Sequence, residues 1–238
     1  MLAAVLMLSG GVLDARSGTA PEAVPIVRAL ESRYHDARTL KATFLERYSD
    51  ARQSSRLESG TVYFSRPGRM RWDYEAPEKK LFISDGKTVW FYVPSDHTVS
   101  RAPMRESSDW RTPLVLLTGN AKLSQLCDQI DLAPQPAATP GHVTLQCLPR
   151  GENSAARRAQ KQDAGVDGAS PLAPFDRVLI EVDSATGELA DVRVLQPGAV
   201  ELEYRFADWQ ENLPLLDSLF HFQPPVGVAI VDGTEGLP

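Results

Sequence analysis

Cysteine is nearly missing from this chain: Cys127 and Cys147 are the only two among 238 residues. Neither lies near the N-terminus, so no lipobox and no N-terminal lipid anchor is expected. Histidine is equally sparse, and His35, His97, His142 and His221 are scattered without metal-ligand spacing. No Gly-x-Ser-x-Gly and no His-Glu-x-x-His occurs, so neither a hydrolase elbow nor a zinc protease helix is encoded. The apolar run at residues 1–13 is too short to span a membrane, which takes roughly 20 residues. Basic excess is absent too: the formal net charge is −6, against the basic balance of domains that bind nucleic acid non-specifically. One phosphate-loop look-alike, Gly86-Lys87-Thr88, has Leu81 where the motif requires glycine, and strand-like TVWFYV follows it instead of a helix. No cofactor, no metal and no catalytic residue is therefore expected.

Hydrophobic residues make up 42 % of the chain, ample for a sizeable core. Residues 1–20 read as a signal peptide, with an apolar centre and the small residues Gly18 and Ala20 before a cleavage point, although no Lys or Arg precedes the run. The alternative is a buried N-terminal segment. In an exported protein the two cysteines could pair, closing a loop for which roughly 3 kcal/mol is the expected stabilisation. Two small buried thiols are the other possibility.

Residues 21–37 place Val24, Val27, Leu30 and Tyr34 at helical spacing, with Pro21 and Pro25 near the start where proline is tolerated. From Thr39 the period becomes two: Leu40, Ala42 and Phe44 alternate with polar partners, as do Val62 and Phe64. KKLFISDGKTVWFYV reads as a hairpin whose type I′ turn centres on Asp85-Gly86. Within 103–127, Trp110, Leu114, Leu117 and Leu126 fit one or two short helices, and GHVTLQCL (141–148) returns to strand. Residues 149–174 are polar and rich in Ala and Gly, which suggests a mobile loop, since strand patterning resumes on both sides. RVLIEVD, LADVRVLQPG and AVELEYRFADW then follow one another through short turns. The fold class expected is mainly β: a strongly curved antiparallel meander forming an unclosed barrel, with helices as a lid.

SRPGRMRWDYE (65–75) interleaves three arginines with Trp72 and Tyr74, a composition found in nucleic-acid grooves. Alternation explains it better. Met70, Trp72 and Tyr74 fall on one face, while Arg69, Arg71, Asp73 and Glu75 form a wet face bearing both signs of charge. Arg66 stands apart. It shares parity with Val62 and Phe64, and an arginine there needs hydrogen-bond acceptors, which helix-end carbonyls could supply.

The block RPGRMRWDYEAPEKKLFISDGKTVWFY (66–92) resembles the central block of the LolA family: an Arg-Pro at a strand end, an aromatic strand, then a Ser-Asp-Gly-Lys hairpin leading into Trp-Phe-Tyr. FHFQPPVGV (220–228) is similar to the family's closing strand and Pro-Pro turn, and ATFLERY (42–48) to its first strand. The resemblance covers nearly all of 22–232 and implies one periplasmic lipoprotein-carrier domain over 21–238, with 149–174 as an insertion longer than the family's. It implies an apolar cavity for lipoprotein acyl chains, lined here by Phe44, Val62, Phe64, Met70, Trp72, Tyr74 and Phe91. Arg66 matches the family arginine that latches the lid onto helix carbonyls. Met70 stands where the family has an aromatic implicated in docking to the inner-membrane releasing complex. The partners implied are acylated lipoproteins, an ABC-type releasing complex in the inner membrane and an outer-membrane acceptor. The carrier itself is expected to be a monomer that is not an enzyme. The alternative is an exported module of the same fold that binds another lipid or amphiphile.

Overall fold

The computed structural model describes residues 18–52, 54–104, 117, 122–150 and 176–233. Residues 1–17 of the expected signal peptide, Trp110, Leu114 and nearly all of the 149–174 segment lie outside them, whereas residues 18–20 of that peptide are described, Gly18–Thr19 as the first strand. In chain order the elements are β1 (Gly18–Thr19), α1 (Val24–Asp36), β2 (Thr39–Ser49), β3 (Ser55–Ser65), β4 (Arg69–Ala76), β5 (Lys80–Ser84), β6 (Thr88–Val93) and β7 (Thr98–Pro103). After these come α2 (Leu123–Leu126), β8 (Cys127–Leu132), β9 (His142–Pro149), β10 (Arg177–Asp183), β11 (Leu189–Gln196), β12 (Val200–Glu211) and β13 (Ala229–Asp232).

All thirteen strands belong to one sheet of order β1-β8-β9-β10-β11-β12-β2-β3-β4-β5-β6-β7-β13. Among the described residues its two ends do not pair with each other, so the curved sheet stays open. Every internal pairing is antiparallel, as the alternating runs and short turns demand. The edges depart from the expected meander, for β1 joins β8 and β13 joins β7 in parallel. Neither edge strand reaches its neighbour through a hairpin, and a parallel partner requires such a long connection.

Helix α1 has proline in its first turn and buries Val27, Leu30 and Tyr34 on one stripe. It ends where Ala37 turns extended to enter β2. The helix is firmly seated. The Arg33 guanidinium bridges Glu188 and Glu211, both at 2.8 Å. Gly187, at φ +70°, lets the β10–β11 turn come so near that a Cβ there would lie 2.6 Å from the Ala29 carbonyl carbon.

The β5–β6 turn differs from expectation. Asp85 N and Thr88 O bond at 3.3 Å, which makes Gly86 and Lys87 the central residues, and of these two only Gly86 has positive φ. The Asp85 carboxylate accepts the amides of Lys87 and Thr88, both at 2.8 Å, so the aspartate serves as the preceding side-chain cap and needs no left-handed backbone. Strand β8 is a further difference. Its CDQIDL buries only Cys127 and Ile130, too few apolar positions to show a period, and pairing with β9 makes it a strand. Cys127 and Cys147 form a disulfide (S–S 2.07 Å) joining these two strands.

Candidate ligand-binding face

The inward positions of the sheet line up across strands into rows. Leu40, Phe64 and Met70 are register neighbours on β2, β3 and β4. Ala42, Val62, Trp72, Phe82 and Phe91 form the next row, extending through β5 to β6. Phe44, Gly60 and Tyr74 form the third. The structure thus brings all seven expected lining residues onto one face and into one buried cluster, which the inner stripe of α1 joins. Trp72, fully buried, is its centre. Phe44 (4.8 Å), Tyr204 (5.5 Å) and Phe64 (6.1 Å) meet its ring edge-on, and Phe44 also meets Tyr74 at 5.0 Å. Such pairs add about 0.5–1.5 kcal/mol each beyond area burial. A wall of this kind can offer a ligand only dispersion and shelter from water.

Met70 is 1 % exposed, so in this state it belongs to the wall and presents no surface to a partner. Arg66 stands at the rim, its backbone amide bonded to Arg38 O at 3.1 Å. Its Nε and Nη2 are buried and find no acceptor among the described residues. Burial lowers its pKa, with Asp36 at the end of α1 as the opposing charge. The guanidinium is therefore partly desolvated and has donors to offer, as its parity with Val62 and Phe64 implied.

Arg69 and Arg71 correct the sequence reading of a merely solvated face. The segment 213–228 returns across the outer side of β4–β6. Arg69 donates to Asp217 at 2.7 Å and lies over the Phe220 ring at 5.3 Å, while Arg71 donates to Leu219 O at 3.1 Å. Phe220 is buried, and Phe222 packs on Trp90 and Tyr92 at 5.7 and 5.6 Å. Alternation placed the arginines outward correctly, but their partners lie far along the chain.

Sequence reasoning missed two further features. Glu46 shares parity with Phe44 and is buried at 4 %, accepting the Tyr74 hydroxyl at 2.7 Å. That parity was the signal that could have found it. The second is a charge network on the outer face of β9–β12 and the adjoining β2. Arg47 and Arg205 bond to Glu203 at 2.6 and 2.8 Å, Arg193 bonds to Asp191 at 3.2 Å, and His142 stands 3.5 Å from Glu181. Burial opposes ionisation of Glu203, yet its two arginine bonds outweigh it and hold the carboxyl below its ordinary range. Burial and then the Glu203 charge push Asp191 the other way, up to about 7.

Among the described residues no group of His, Cys, Asp and Glu could hold a metal ion, and no helix is long and apolar enough to cross a membrane. One open sheet curled around an aromatic core, with a helix seated on its concave side, defines the class as an unclosed β-barrel. Residues 35–146 match the family model described as "Outer membrane lipoprotein carrier protein LolA". An outer-membrane lipoprotein carrier protein of Nitrosospira multiformis is 26 % identical over 209 residues, covering 86 % of this chain and 87 % of that protein. A protein of the same name from Methylococcus capsulatus is 29 % identical over 205 residues, covering 85 % and 86 %. The crystal structure of an uncharacterized conserved protein from Thermus thermophilus shares the fold, with a TM-score of 0.52 at 13 % identity over 89 % of this chain and 99 % of that one. The chain is thus similar to the LolA family, through the model match over residues 35–146 and through these relatives over most of its length.

Proposed function

We propose that this protein is a periplasmic carrier that shelters the acyl chains of lipoproteins on its concave face and shuttles them from the inner to the outer membrane. The observation that carries this reading is the similarity, over most of the chain, to proteins named outer-membrane lipoprotein carriers. The aromatic wall supports it. Exposing acyl chains to water costs about 0.8 kcal/mol per methylene, so a lipoprotein needs apolar shelter to leave a membrane. In this reading residues 21–238 form one carrier domain and 149–174 are an insertion within it. Arg66 is the latch, its buried donors taking carbonyls when the lid closes. Met70 reaches the ABC-type releasing complex once closure is relaxed, and cargo passes to an outer-membrane acceptor by a difference in affinity.

The test is release of a triacylated lipoprotein from inner-membrane vesicles by the purified protein. A soluble one-to-one complex is expected. Lipoprotein that stays with the vesicles, while a small amphiphile binds readily, would overturn the choice of cargo.

A further inference from the structure

Strand β2 turns Leu40, Ala42 and Phe44 to the concave face, and the next inward position is Glu46. Opposite it on β3 stands Glu58, 6 % exposed, bonded to Lys80 at 2.5 Å and approached by Arg56 at 3.3 Å. Two adjacent buried acidic side chains at the end of an apolar face are a poor source of stability. Desolvating them costs several kcal/mol each, and apolar residues of similar size are often as stable or more so. Their position suggests another role. Arg66 marks one end of β3 and this polar group marks the other, with the aromatic wall between them. From Leu40 to Glu46 the strand runs about 20 Å, comparable to an extended fatty acyl chain. Tyr74 sits at the boundary, its ring against Phe44 and its hydroxyl on Glu46.

We propose that Glu46, positioned by Tyr74, is a polar stop that sets how long an acyl chain the concave face accepts. This rests on the carrier reading above. A chain that advances past Phe44 meets the Tyr74–Glu46 hydrogen bond, and replacing that bond with methylene contacts would cost two buried polar groups a partner. Methylenes up to the stop are sheltered and add affinity. Those beyond it stay in water and add none.

The test uses the full chain and a series of saturated fatty acids from lauric to stearic, each displacing a fluorescent naphthalenesulfonate dye. For the wild type, affinity should rise about fourfold per methylene and then level off. Glu46→Leu should move the levelling point to longer acids, whereas Glu46→Gln, which keeps a polar group there, should leave it in place. Circular dichroism and the dye's own affinity show that each variant is folded. An unchanged levelling point in folded Glu46→Leu overturns the stop and leaves the carrier reading standing. A wild type that binds none of the acids removes the acyl-binding reading, and the stop with it.

Discussion

The hydroxyl oxygen of Tyr34 accepts the backbone amide of Leu189 at 2.9 Å, joining α1 to the first residue of β11 across 155 positions of sequence. Burial pushes the tyrosine's pKa up, so it stays a neutral phenol throughout the working range. Tyr34→Phe would keep the ring and leave a buried N–H unsatisfied. A loss of about 1–3 kcal/mol is expected. It should appear as a lower urea midpoint at unchanged slope. An unaltered midpoint would show that α1 does not depend on this bond.

Arg66→Leu is expected to fold normally, because it removes a partly buried cation whose Nε and Nη2 have no acceptor among the described residues. Stability should change by no more than about 1 kcal/mol and in either direction. Transfer of lipoprotein from vesicles to an acceptor should fall severalfold. If transfer by the variant equals that of the wild type, Arg66 is not the latch.

The returning segment on the outer face separates two kinds of contact. Phe220→Ala empties a buried site and should cost about 3–5 kcal/mol. Asp217→Asn breaks an ion pair whose acid is 80 % exposed, and should cost less than about 1 kcal/mol. Thermal unfolding of the two variants side by side measures the contrast. Equal effects would mean that charge, not burial, holds the segment down.

Asp191 makes stability depend on pH in a direction opposite to most carboxylates. Its folded-state value of about 7 lies above the ordinary 3.8, so the native state keeps a proton that the unfolded chain has lost. The group's contribution is whole below the ordinary carboxylate range, falls as pH rises, and is gone above about 7. Asp191→Asn should flatten this decline. The measurement is the difference in unfolding free energy between wild type and variant across that window, and parallel curves would exclude Asp191 as the source.

Much of this architecture was legible because side chains on a strand repeat every two residues. Leu40, Ala42 and Phe44, and then Met70, Trp72 and Tyr74, declare their inward face by spacing alone. The same rule carried Glu46 inward, but a lone carboxylate among apolar neighbours is overshadowed by the polar residues around it in the sequence. What spacing cannot supply is a partner. Nothing near Arg69 or Arg71 announces Asp217 or Leu219, because those contacts exist only once the chain has folded back over the sheet. Strand β8 was illegible for a related reason: its conformation comes from β9 and the disulfide, not from its own residues. The β5–β6 turn was misread locally, since Asp-Gly suits two geometries and the side-chain bonds of Asp85 decide between them.

The two short edge strands have a consequence for colloidal behaviour. An open sheet has two free borders, and long flat borders invite neighbouring molecules to stack into fibres. Here one border is the two-residue β1 and the other the four-residue β13, which carries Asp232 paired with Arg101 at 2.6 Å. β13 pairs with four of the six residues of β7, and β1 with two of the six of β8. The β13 border thus offers a neighbouring molecule a ladder of only four residues, ended by a charged pair, which works against edge-to-edge stacking on that side.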